Sequence, residues 1–172
     1  MSEQHIFLVG PMGVGKTTVG KQLASLLHRP FVDVDAEIES RCGADIQWIF
    51  DMEGEQGFRK RESKVLNDII ANTPSSVIAT GGGVILSEKN RQALQANGQI
   101  IYLLAAKEQL YERMRRDKSR PLLQVEDREK VIDQLLEIRD PLYREVADVV
   151  FSADGGSAIR VAKILLDELS KH

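Results

Sequence analysis

Asp33 and Asp35, in the stretch FVDVDAEIES, stand one residue apart at the end of an apolar run. On a strand, side chains two apart point to the same side, so the two carboxylates would crowd each other unless a cation lies beside them. The segment GPMGVGKTT supplies a reason for such a cation. It holds Gly10, Gly15, Lys16 and Thr17 at Walker A spacing, directly after the apolar run IFLV and directly before a helical pattern. Glycines allow successive N–H groups to turn inward, and a helix N-terminus adds partial positive charge. Gly13, Val14, Gly15, Lys16, Thr17 and Thr18 are therefore the expected phosphate contacts. Lys16 would reach the β- and γ-phosphates, and the Thr17 hydroxyl would sit on Mg²⁺. One carboxylate of the Asp33/Asp35 pair could then hold Mg²⁺ through its waters while the other accepts a proton from an attacking hydroxyl. Asp-Ala-Glu is also good first-turn composition for a helix start.

A nucleoside triphosphate site alone leaves a small-molecule kinase, a nucleotide switch or a part of an ATPase machine. No guanine-selecting N-K-x-D element is present, and 172 residues leave little room for further ATPase motifs. Acceptor-side features lie downstream. Arg59 and Glu62 are three apart in FRKRE and can pair on one helix face, giving an arginine fork suited to a substrate carboxylate or a solvated charged face. Gly81, Gly82 and Gly83 follow the run VIAT, and consecutive glycines at a strand end suggest close approach of a ligand or of backbone.

Positioning these groups requires strands that end where they stand. Apolar runs at 6–9, 31–34, 77–80, 100–104 and about 147–152 read as strands, separated by helical patterns from Lys16, across 36–72, near 87–97, at about 107–117 and 128–138, and from Ser157 to Leu169. The 36–72 stretch is broken near Cys42-Gly43 and at MEGEQG (52–57), and Trp48, Ile49 and Phe50 read as packing within it. On spacing alone, Pro141 ends a helix and Arg139 in its last turn complements the dipole. Short apolar strands alternating with helices predict an α/β fold with a parallel sheet covered on both faces, in one domain.

Composition fits that reading. A net charge of −3 argues against a nucleic-acid groove or a polybasic membrane anchor, although YERMRRDKSRP (111–121) is locally basic. A single cysteine, Cys42, permits no internal disulfide and suits a reducing cytoplasm, and no run approaches the roughly 18 apolar residues of a membrane span.

Taken together, GPMGVGKTT, FVDVDAEIE, GEQGFRKRE, TGGG, SRPLL and RDPLYREVAD resemble the shikimate kinase family, in the family's order and along nearly the whole chain. The resemblance implies a P-loop, nucleoside-monophosphate-kinase-like fold with a five-stranded parallel sheet in the order 2-3-1-4-5. It implies a single kinase domain over 1–172, with a substrate-binding segment at about 34–61 and a lid at about 113–126. It implies ATP and shikimate as ligands, Mg²⁺ as cofactor and a monomer. Residue by residue, it implies that Thr17 and Asp33 hold Mg²⁺ and that Asp35 contacts the shikimate hydroxyls as the base. Arg59 and Arg139 would bind the shikimate carboxylate, Gly82 with its neighbours Gly81 and Gly83 would offer backbone, Glu62 would orient Arg59, and Phe58 would wall the pocket. Arg120 would approach the ATP phosphates and Arg113 the adenine. In SADGGS (152–157), where many members carry a longer side chain near the base, Gly155 and Gly156 offer only backbone.

Overall fold

A computed structural model describes residues 4–116, 127–153 and 156–171. Strand β1 (His5–Val9) is the centre of a five-stranded sheet in the order β2-β3-β1-β4-β5. The other strands are β2 (Phe31–Asp33), β3 (Val77–Ala79), β4 (Gly98–Leu104) and β5 (Val149–Ser152), and every pairing is parallel. The expected order and direction are both found.

Alternation along β1 sorts the core into two layers. Ile6 and Leu8 pack with Leu23, Leu103, Ala162 and Leu165 on one side of the sheet. Phe7 and Val9 pack with Leu66, Ile69, Leu94 and Tyr143 on the other. The first layer is roofed by α1 (Lys16–Leu27) and α7 (Ala158–Leu169), with α5 (Lys107–Arg116) at its edge. The second is roofed by α3 (Ile46–Asn72), α4 (Glu88–Asn97) and the later part of α6 (Arg128–Val146). A short helix, α2 (Val34–Cys42), ends at Gly43, whose φ of 72° is the left-handed conformation expected at such a boundary.

Three local readings need correction, and each bears on the site. The strand carrying the acidic pair stops at Asp33; Val34 already begins α2, so Asp35 lies in the first turn of a helix rather than on a shared strand face. The helix approaching Pro141 does not end there but runs on to Val146. Proline removes one backbone bond, but the next turn buries Tyr143 and Val146 in the core, and that burial outweighs the loss. Trp48 does not pack as expected: it is 48% exposed, while its neighbour Ile49 is fully buried and Phe50 lies 4.9 Å from the Phe58 ring. The break near MEGEQG is present as a kink at Gly54 (φ 72°) inside α3, spanned by Arg61, which donates to both Glu53 oxygens at 2.7 and 2.6 Å.

Candidate active site

The carboxyl ends of β1, β2 and β3 and the start of α1 open onto a cleft of about 890 Å³. Its floor is the Gly10–Thr18 loop and helix start. Gly10 has φ 147°, and a Cβ there would lie 2.3 Å from the Leu103 carbonyl oxygen, so only glycine lets the loop leave β1 so close to β4. Gly15 adopts φ 103° and delivers the chain into α1.

That helix start is built differently from those of α2, α3, α4, α6 and α7. Helices α2, α3, α4, α6 and α7 begin with Asp33, Asp45, Ser87, Asp127 and Ser157, each of which accepts a backbone N–H with its side chain. Helix α1 begins with Gly15, has no side-chain cap and carries no acidic residue in its first turn. Its first N–H groups are thus left to whatever anion enters the cleft. Lys16 folds back over the loop, donating to the carbonyls of Gly10 at 2.5 Å and Pro11 at 2.9 Å.

Thr17 and Asp33 meet beside this floor. The Thr17 hydroxyl donates to Asp33 Oδ2 at 2.7 Å, and Asp33 Oδ1 accepts the Ala36 N–H at 3.1 Å as the cap of α2. A hydroxyl and a carboxylate converging at the edge of a phosphate loop are hard oxygen donors, which fits Mg²⁺ held partly through water. Gly13, Val14 and Thr18 line the same cleft, as do Arg113 and Gly156. Arg113 extends from α5 across the loop and donates to the Gly13 carbonyl at 2.6 Å. Gly156 is exposed; Gly155 lies outside the described residues. Arg120 also lies outside them, as does the segment 117–126, so of the expected lid only 113–116, the end of α5, is described.

A second, tighter pocket of about 50 Å³ adjoins the cleft. Asp35, Phe58, Arg59, Glu62, Gly81, Gly82, Gly83 and Arg139 all line it, joined by Met12, Ile46 and Phe50. Every acceptor-side residue singled out from the sequence is therefore brought to one place. Asp35 borders both the cleft and the pocket.

Charge within the pocket is arranged around a buried carboxylate. Glu62 is fully buried, and its Oε1 accepts from Arg59 Nη1 at 3.0 Å. Glu62 Oε2 has no hydrogen-bond partner among the described residues and sits against Gly81. Burial pushes the Glu62 carboxyl above the usual range, and the Arg59 guanidinium pulls it back only in part. Arg59 also donates to Glu55 Oε2 through Nε at 3.4 Å and Nη2 at 3.3 Å. Arg139 is 5% exposed, and burial lowers its pKa. The glycines are small because charge surrounds them. A Cβ on Gly83 would lie 2.4 Å from Arg59 Nη2, and one on Gly81 would lie 2.9 Å from Asp35 Oδ1.

Met12, Ile46 and Tyr143 escape the sequence reading, and Phe50, read there only as packing, lines the pocket as well. Tyr143 stands behind the pocket, its hydroxyl donating to the Gly82 carbonyl. Its signal was the spacing Arg139–Tyr143, four residues on one helix face, which a helix ending at Pro141 conceals. No described helix is long and apolar enough to cross a membrane.

Comparison with known proteins places the chain in a family. The family model described as shikimate kinase matches residues 12–170. A shikimate kinase of Pasteurella multocida is 52% identical over 166 residues, 96% of this chain and 94% of that protein. One from Histophilus somni is 51% identical over the same shares of both chains. The solved structure of an Acinetobacter baumannii shikimate kinase in complex with shikimate superposes with a TM-score of 0.95 at 49% identity, covering 99% of this chain and 94% of that one. The uncapped phosphate helix, the junction carboxylate and the arginine pocket thus occur in a chain that belongs to the shikimate kinase family.

Proposed function

We propose that this chain transfers the γ-phosphoryl group of ATP to the 3-hydroxyl of shikimate, giving shikimate 3-phosphate and ADP. The observation that carries the reading is the position of Asp35 on the wall common to the large cleft and the arginine pocket. Phosphoryl transfer needs the attacking oxygen in line with the phosphate, and a shared wall is where such a line would run.

Each residue's part follows from its surroundings. The triphosphate lies over the uncapped start of α1, and Lys16 exchanges its two carbonyl partners for phosphate oxygens. Arg113, held over Gly13, flanks the nucleotide toward the adenine. Thr17 and Asp33, already in contact, would hold Mg²⁺. When bound, Mg²⁺ neutralises charge on the phosphate oxygens. In the pocket, Arg59 and Arg139 take the shikimate carboxylate, each charge-assisted contact fixing orientation as well as affinity. Glu62 keeps Arg59 aimed inward, and Phe58 forms the apolar wall. Asp35 accepts the proton of the 3-hydroxyl as the new O–P bond forms and the bond to ADP breaks. Arg120 would add positive charge at the transferring phosphoryl. The chain works as one kinase domain with 34–61 as its acceptor-binding segment, as a monomer in the cytoplasm.

A coupled ADP-release assay with shikimate, gluconate and nucleoside monophosphates tests the reading. Turnover with shikimate well above the other acceptors is expected. Activity on another acceptor with none on shikimate would overturn it.

A further inference from the structure

We infer that Tyr143 is a positioning residue for the acceptor, its hydroxyl holding the Gly82 carbonyl next to Arg139 so that guanidinium and glycine loop present one fixed surface to a bound hydroxy acid. Tyr143 does not line the acceptor pocket; it lies immediately behind, beside Met12 and Arg139. The phenol donates to the Gly82 carbonyl, and Arg139 lies beside both, lining the same small cavity as Tyr143 and approaching Gly82 with its Nη1. A phenylalanine in the same place could not make that bond.

The hydroxyl completes a set. The Gly81 carbonyl accepts the Val84 N–H at 3.2 Å, and the Gly83 carbonyl accepts the Leu86 N–H at 3.1 Å. Those two bonds come from the chain's own short turn. Gly82, between them, is tied by the side chain of Tyr143. Because a trans peptide is planar, fixing the Gly82 carbonyl also fixes the Gly83 N–H, which points the opposite way. Three consecutive glycines have little preference of their own, so an external tie is what sets that plane. The same loop touches the arginine: a Cβ on Gly82 would stand 3.4 Å from Arg139 Nη1.

The tyrosine is itself held. It is fully buried, and its ring packs on Tyr102 with centroids 4.8 Å apart. Tyr102 donates to Asp140 Oδ1 at 2.6 Å, and Asp140 Oδ2 accepts from Arg144 at 2.9 Å. Burial pushes the Tyr143 phenol up, which keeps it a donor at neutral pH.

The inference rests on the acceptor reading above, and one set of assays separates the two. Tyr143→Phe keeps the ring and its stacking while deleting the hydroxyl. The expected result is an acceptor KM raised about tenfold or more, with the ATP KM within about twofold of wild type. Tyr102→Phe removes the Asp140 bond from the same stacked pair without touching Gly82 or Arg139, and should leave the acceptor KM within about twofold. An unchanged acceptor KM in Tyr143→Phe overturns the inference. So does an equal rise in Tyr102→Phe, or a parallel loss for both substrates with a lowered Tm, because each marks a packing role. Wild-type protein without turnover on shikimate would overturn the functional reading and this inference together. Wild-type turnover with an indifferent Tyr143→Phe would remove Tyr143 alone.

Discussion

The two halves of the site are built by opposite strategies. The nucleotide half is local: residues 10–18 supply the floor, and a helix start left without a side-chain cap supplies the positive end. It is wide, and its basic side chains are held by backbone carbonyls, Lys16 by Gly10 and Pro11 and Arg113 by Gly13. The acceptor half is assembled from four separated stretches, around Asp35, Phe58–Glu62, Gly81–Gly83 and Arg139, and two of its charges, Glu62 and Arg139, are buried. Buried polar groups hold position only when partnered, so that half depends on Glu62 with Arg59 and on Tyr143 with the Gly82 carbonyl beside Arg139. Damage to the first half should therefore weaken one ligand, whereas damage to the second should spread among neighbours.

Substitutions can break or sharpen this contrast. Asp35 belongs to both halves, so Asp35→Asn should have the largest effect, lowering kcat by about 10²- to 10⁴-fold with little change in ATP affinity. A kcat near wild type in a steady-state assay would remove Asp35 from the chemistry. Lys16→Ala tests the local half. It should lower kcat about 10²- to 10³-fold while shikimate affinity, read by calorimetry, stays near wild type. Arg59→Ala tests the assembled half, with the shikimate KM raised about 10- to 100-fold and the ATP KM nearly unchanged. Equal weakening of both would mean that the two halves are not separable.

The smallest effect concerns Glu62 and pH. Burial raises its carboxyl pKa, so between the unfolded value, about 4.3, and that raised value the folded chain holds more protons than the unfolded chain. Stability therefore falls as pH rises through this window, the sign opposite to that of an ordinary surface-paired carboxylate. Glu62→Gln, which cannot ionise, should flatten this part of the profile in denaturant unfolding. A slope identical to wild type would contradict the assignment.

The contrast also explains what the sequence disclosed. The phosphate loop is a run of neighbours flanked by a strand and a helix, so spacing alone identified it. Sheet order and parallel pairing followed from the family resemblance and from apolar runs set between helical ones. For the acceptor half, spacing offered only fragments, since nothing local relates Asp35 to Arg139. The resemblance gathered those fragments, and the structure brings them to one pocket. Two local rules misled. Period-two reasoning placed Asp33 and Asp35 on one strand face, yet Asp33 is a helix cap and Asp35 sits in the following turn. Proline was read as a helix end, yet core burial of the next turn carries α6 past Pro141 and puts Tyr143 one turn from Arg139. The first error arises where a local helix cap ends the strand, the second where core packing overrides a local preference, and both fall at the site.

The most direct test is phosphorus-31 NMR of the product formed from ATP, Mg²⁺ and shikimate with the wild-type chain. One new phosphate-ester signal is expected, coupled to the ring proton at carbon 3 and appearing in step with ADP. Inorganic phosphate alone, or an ester on a different hydroxyl, would contradict it.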